Sequence, residues 1–382
     1  MKKTKQNKYL NVLYNITIMC YYTMPKFKKC LDVSPTVGDT YTPYISNSLF
    51  QYYKEICQEI KNNLTLDFEY NLEELIKILN HYEYLHKKVP SYNYQVCKIK
   101  TNTNLFFDFY EILNTLNIFE DYKNMNIKTL HLTDNTDSVK CFKMFRKNDE
   151  DEILHYNNFD TFTFSKNKDE KMDFLFFNYL DNYNDFNIED IHTNYNNYIT
   201  YLIQCTMVIL KNQSFQGCSI IKIKSIFHKS VIDILFFLTS LYEKTHIFKP
   251  NTSNIVLFEN YVILKNFQCN ENNLRYLNLN YYKLFVFLQK KENGCIENIL
   301  NQSIPAYFIQ KIEEINITIG QNQIESLDLM LILLKNKNYK EKIENIKKIN
   351  LQKCISWCEK YNISFNNFEK KNIFLPLMKE IS

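Results

Sequence analysis

A lysine inside an apolar strand is the feature that most restricts how this chain can fold. Residues 218–223 read Cys218-Ser219-Ile220-Ile221-Lys222-Ile223, a short apolar run of the kind that fills the centre of a sheet. Removing the Lys222 ammonium from water costs several kcal/mol unless an anion meets it. A second strand-like run begins further on, Glu259-Asn260-Tyr261-Val262-Ile263, and its first residue supplies the obvious partner. Between them lie a segment of helical spacing, 230–243, and the turn Lys249-Pro250-Asn251-Thr252-Ser253. The fold must therefore bring the Lys222 strand beside the start of the strand at Glu259.

Hydrophobic spacing predicts helices over 46–62, 72–87 and 104–117, a strand over 127–132 and a helix over 138–145. Short strands follow over 153–156 and 161–164, then a strand over 172–177 and a long helix over 188–211. Strands alternating with helices at this spacing predict an α/β fold with a mostly parallel, Rossmann-type sheet. Beyond residue 267 only helices are predicted, over 271–291, 305–315, 321–334 and 340–361. Residues 1–44 lack clean periodicity and are read as extended or loosely packed. The expected division is an N-terminal extension with helices (1–100), an α/β domain (101–269) and an all-helical C-terminal region (270–382).

With 382 residues, 45% of them hydrophobic, the chain can build a sizeable core without disulfide or metal staples. Abundant Asn, Lys, Ile, Tyr and Phe beside only four Gly suggest an AT-rich genome, so Asn-rich runs such as 194–197 carry no functional message. A net charge of +4 excludes a dedicated nucleic-acid coat and leaves room for a local basic groove. Eleven cysteines without a CxxC pair fit reduced thiols in a cytosol-like compartment, and Cys354 and Cys358 beside Trp357 read as packing. His155, His192, His228 and His246 stand apart from other ligand types, so no metal is assigned. The basic start, 2–8, precedes an apolar stretch broken by Asn11 and Asn15 with no small-residue cleavage site, which predicts no export signal. No run reaches eighteen apolar residues, so no membrane span is expected and the chain reads as soluble.

Three pieces recur in order: Gly217-Cys218-Ser219-Ile220-Ile221-Lys222, then Lys249-Pro250-Asn251-Thr252-Ser253, then Glu259-Asn260-Tyr261-Val262-Ile263. This series resembles the C-terminal half of an FtsJ-like ribose 2'-O-methyltransferase domain. The resemblance extends in order over residues 100–267, and the helical tail is similar to FtsJ-like proteins of large cytoplasmic DNA viruses. It implies S-adenosylmethionine as cofactor, RNA or capped mRNA and other viral proteins as partners, and a place in the cytoplasmic viral factory or the virion.

The family works through a Lys-Asp-Lys-Glu tetrad whose central lysine assists loss of the ribose hydroxyl proton. The resemblance assigns its third and fourth members to Lys222 and Glu259. The first falls on Asp108, within Phe106-Phe107-Asp108-Phe109-Tyr110-Glu111, and the second on Asn178, at the end of Asp173-Phe174-Leu175-Phe176-Phe177-Asn178. An amide can hydrogen-bond a lysine but cannot neutralise it. The cofactor turn falls on Thr133, Asp134 and Asn135, within 131–138. Close approach of a cofactor favours Gly in such a turn, and Gly38, Gly217, Gly294 and Gly320 all lie elsewhere.

Two functions follow. One is an S-adenosylmethionine-dependent RNA (cap) 2'-O-methyltransferase family member with impaired or lost catalysis. The other is a non-enzymatic RNA-binding or assembly protein, acting in the virion or beside an active methyltransferase. Lys222 with Glu259 is a structural ion pair or a residual functional one, and the Lys249 turn either contacts phosphate or caps the chain. The lysines at 335, 337, 340, 342, 347 and 348, with Tyr339 among them and diluted by Glu341 and Glu344, read as a solvated helix face.

Overall fold

The computed structural model describes residues 21–26, 33–38, 42–64, 68–90, 92–159, 170–178, 191–269, 271–290, 295–336 and 338–368. The described residues form β1 (Tyr21–Thr23), β2 (Val33–Gly38), α1 (Asn47–Asn63), α2 (Leu72–Leu79), α3 (Leu105–Thr115), β3 (Lys128–Thr133), α4 (Asp137–Arg146), β4 (Glu152–Tyr156) and β5 (Met172–Asn178). They continue with α5 (Ile191–Asn212), β6 (Gln213–Ile223), α6 (Lys229–Leu241), β7 (Tyr242–Phe248), β8 (Asn260–Phe267), α7 (Glu271–Lys290), β9 (Cys295–Leu300), α8 (Ala306–Lys335) and α9 (Tyr339–Lys360).

Seven strands make one mixed sheet in the order β1-β7-β8-β6-β5-β3-β4. Neighbours are parallel from β4 through β3 and β5 to β6, whereas β8 lies antiparallel between β6 and β7 and β1 closes the edge antiparallel to β7. Five strands therefore share one direction, consistent with a Rossmann-like α/β architecture.

The two-residue period decides which side chains meet which layer. In β6, Cys218 and Ile220 join the cluster under α3, α4 and the end of α9, while Ile221 and Ile223 join the cluster under α5, α6, α7 and the first half of α8. β5 divides likewise, with Phe174 and Phe176 on the first face and Leu175 and Phe177 on the second. Because helices cover both faces, these strands read as unbroken apolar runs. A third cluster joins α1, α2, α8 and α9 around Val256, so the helices beyond residue 270 pack on helices that precede residue 100.

Four expectations need correction. β7 takes the last two residues of the helix expected over 230–243 and the unassigned stretch up to the Lys249 turn; the helix stops at Leu241 because Tyr242–Phe248 pairs with β8. β9 lies in a region expected to be all helix, pairing antiparallel with β2. Its partner lies far away in sequence, beyond the reach of local periodicity. The helices expected over 305–315 and 321–334 are the single helix α8, running through Gly320. A Cβ on Gly320 would sit 2.6 Å from Leu49 Cδ2, so this glycine lets α8 approach α1. The helix expected over 72–87 starts at a capping box between Asn71 and Glu74 but ends at Leu79, before a short 3-10 turn at Glu83–Leu85. The expected start of α5 at 188 and the strand over 161–164 lie outside the described residues.

Candidate functional site

Lys222 is the penultimate residue of β6, on the face covered by α3, and pairs in register with Tyr261. Its Nζ lies 3.1 Å from Glu259 Oε1, with the lysine side chain 6% and the glutamate 16% exposed. The chain just before β8 turns so that Glu259 Oε2 accepts the Asn254 N–H at 3.0 Å. Burial pushes the Glu259 carboxyl up, but Lys222 and Lys249 outweigh it and hold the group below the usual carboxylate range. The pair is thus a charged, hydrogen-bonded unit at the carboxyl end of the sheet.

Helix α3 adds two more carboxylates. Asp108 is fully buried and accepts from Thr252 Oγ1 at 2.6 Å and from Tyr261 OH at 3.1 Å. Burial, reinforced by the nearby Glu259 carboxylate, pushes Asp108 up to about 7, against the opposing pull of the Thr252 hydroxyl and of Lys222. One turn later Glu111 accepts from the Asn251 side chain, from the Thr252 N–H at 3.4 Å and from Trp357 Nε1 at 3.4 Å. Burial raises this carboxyl too, against those hydrogen bonds. The turn after Lys249 is consequently stitched onto α3, and Lys249 itself donates to the carbonyls of Asn254 at 2.9 Å and Leu257 at 3.1 Å. This turn and its lysine act as a cap.

Asn178 ends β5, paired in register with Thr133 of β3, and is fully buried. Since Phe177 pairs with Ile221, Asn178 stands level with Lys222 on the adjacent strand. Among the described residues neither amide atom of Asn178 makes a hydrogen bond, to the lysine or to any other group. The four positions assigned by resemblance therefore gather at one end of the sheet, with only Lys222 and Glu259 bonded to each other.

The Thr133, Asp134 and Asn135 turn uses its polar groups internally. Thr133 Oγ1 bonds the Asn135 carbonyl and lies 3.2 Å from His155 Nε2. Asn135 donates to Asp134 at 3.0 Å and accepts the Asp137 N–H at 3.0 Å. The buried Asp137 carboxylate accepts the N–H of Asn102 at 3.0 Å and of Thr103 at 2.8 Å, and the Thr103 hydroxyl at 3.0 Å. Its backbone shows no positive φ. The turn thus spends the polar groups of Thr133, Asn135 and Asp137 on bonds to neighbouring residues, while Asp134 and Thr136 are exposed.

Asp108 and Glu111, three apart in an otherwise apolar helix, signal that α3 carries polar work; of the two, Glu111 was not assigned a role from the sequence. Thr252 and Tyr261 have no such signal. Among the described residues no three His, Cys, Asp or Glu side chains converge as metal ligands, and no helix is long and apolar enough to cross a membrane. The basic face near α9 is tempered by Lys335 with Glu59, Lys340 with Glu69 at 2.8 Å and Lys347 with Glu344 at 2.8 Å; Lys337 lies outside the described residues. Cys354 and Cys358 pack in the cluster with Trp357. Comparison with known proteins finds no family model that matches this chain and no curated protein similar to it in sequence.

Proposed function

We propose that the chain is an RNA-directed binding protein on a Rossmann fold of FtsJ-like ribose 2'-O-methyltransferase type, whose methyl-transfer centre has become a structural weld. The observation that carries this reading is the state of the other two tetrad positions, a buried aspartate at 108 and an unbonded asparagine at 178. A lysine that assists loss of a hydroxyl proton must reach that hydroxyl. Here Lys222 keeps its Glu259 partner, but Asp108 stands where the resemblance calls for another cation, and among the described residues Asn178 makes no hydrogen bond to the lysine. The inward-bonded turn at Thr133 to Asp137 supports loss of S-adenosylmethionine binding. The partners suggested by the resemblance are RNA or capped mRNA and other proteins of a large DNA virus, in its cytoplasmic factory or virion.

The retained Lys222–Glu259 pair favours a second reading, a working 2'-O-methyltransferase. Incubation with radiolabelled S-adenosylmethionine and capped RNA separates the two. The binding reading expects no label above background; label lost in Lys222→Met and retained in Lys342→Gln would establish the enzyme instead.

A further inference from the structure

Between Glu83 and Asp108 the chain has no acidic residue, yet it carries Lys87, Lys88, Lys98 and Lys100 with Tyr92 and Tyr94 between the two lysine pairs. All four lysines are exposed, and none makes an ion pair among the described residues. The lysines near α9 differ in this respect, since three of them are matched by glutamates.

The loop is held in shape by backbone bonds. Val96 N–H donates to the Tyr84 carbonyl at 2.8 Å, Lys98 N–H to Ser364 at 3.0 Å, and Asn366 N–H to Val96 at 2.8 Å. Tyr92, Tyr94 and Phe368 form a ring triad with centroids 5.0–5.5 Å apart, and Tyr94 is 39% exposed. The loop also borders the site: Asn102 and Thr103 bond Asp137, and Glu83, at its other end, lies within electrostatic range of Glu259.

We propose that this loop is a platform for a single-stranded polynucleotide, with backbone phosphates on the four lysines and a base stacked on Tyr94. An acid-free lysine loop attracts phosphates without sequence preference. An exposed ring fixed beside two others offers a sequence-tolerant stacking surface. Ordering by the Ser364–Asn366 strap means that little conformational freedom remains to be lost on binding. The proposal rests on the RNA-directed part of the function above and is independent of methyl transfer.

The test is fluorescence anisotropy on the full chain with a labelled, unstructured RNA of about 20 nucleotides, longer than the roughly 4–16 that one binding fold covers. A DNA arm of equal length separates RNA from DNA as the source. At about 0.7 of log-log slope per neutralised phosphate, Lys87→Gln, Lys88→Gln, Lys98→Gln and Lys100→Gln together should lower the salt slope by about 3. Wild-type affinity should then fall about 50-fold more than the variant's between about 50 and 200 mM salt. Tyr94→Ala should weaken binding about tenfold with the slope unchanged, and Lys342→Gln with Lys348→Gln should change neither.

Thermal melts check folding, and Lys98→Gln with Lys100→Gln keeps the test alive if the quadruple variant unfolds. Equal affinity in the quadruple variant and wild type, or equal competition by phosphatidylserine vesicles, would overturn the platform alone. Absence of RNA binding by wild type would overturn both this inference and the RNA-directed reading. S-adenosylmethionine binding would overturn only the non-catalytic reading.

Discussion

The carboxyl ends of β6 and β3 lie at the same end of the sheet and handle their polar groups in different ways. At β6 a lysine is buried against a glutamate, with two further carboxylates, Asp108 and Glu111, packed nearby from α3. At β3 the turn is filled mainly by neutral side chains, and its one buried carboxylate, Asp137, is satisfied by N–H and hydroxyl donors and by the half-exposed Lys140 at 3.4 Å. A buried charge must be matched or the fold loses several kcal/mol, whereas single losses among neutral hydrogen bonds cost about 1 kcal/mol each. The comparison teaches that Lys222 is a commitment of the fold itself, while the β3 turn is a local filling that substitution can rework.

The largest expected effect is at β6. Glu259→Gln should destabilise the protein by about 3 kcal/mol in chemical denaturation, because it removes the buried carboxylate that meets Lys222. Lys222→Met with Glu259→Leu should return to within about 1 kcal/mol of wild type. An unchanged midpoint for the single substitution would mean that the pair is hydrated and the contrast between the two ends is false.

Asp108 gives the next effect, through pH. Its folded-state pKa is raised to about 7, so its stabilising contribution is complete below the unfolded value and is lost as pH rises through the folded one. Glu259, held low, acts in the opposite sense and loses its contribution as pH falls. Asp108→Asn should therefore gain progressively on wild type as pH rises from about 4 to about 7. A difference independent of pH would show that Asp108 titrates normally.

Smaller effects belong to β3. Asp137→Asn should cost about 1.5 kcal/mol by weakening the hold on Asn102 and Thr103. Asn135→Gly should cost only about 0.5 kcal/mol, as expected of a short polar side chain that caps a turn. If Asn135→Gly destabilised the fold as strongly as Glu259→Gln, the β3 turn would be no mere filling.

Much of this organisation was legible in the sequence. The Lys222–Glu259 contact followed from the cost of a lone ammonium in an apolar strand, and the alternation of strands and helices gave the layered sheet. β7 was missed because Tyr242-Glu243-Lys244-Thr245-His246 continues a helical segment with no break, and only its pairing with β8 makes it a strand. β9 was missed because its partner β2 is distant in the chain. The break expected between 315 and 321 is absent because Gly320 packs inside one continuous helix against Leu49, which is a tertiary fact. At the site, Asp108 and Asn178 could be placed by resemblance, but not their surroundings: the hydroxyls facing Asp108 come from Thr252 and Tyr261, far along the chain.

Calorimetric titration of the full chain with S-adenosylmethionine tests the central claim most directly. The proposed loss of the cofactor site at the β3 turn predicts no saturable heat up to millimolar cofactor. Micromolar binding that is abolished by substitutions at Thr133 to Asp137 and unaffected by substitutions elsewhere would contradict the account.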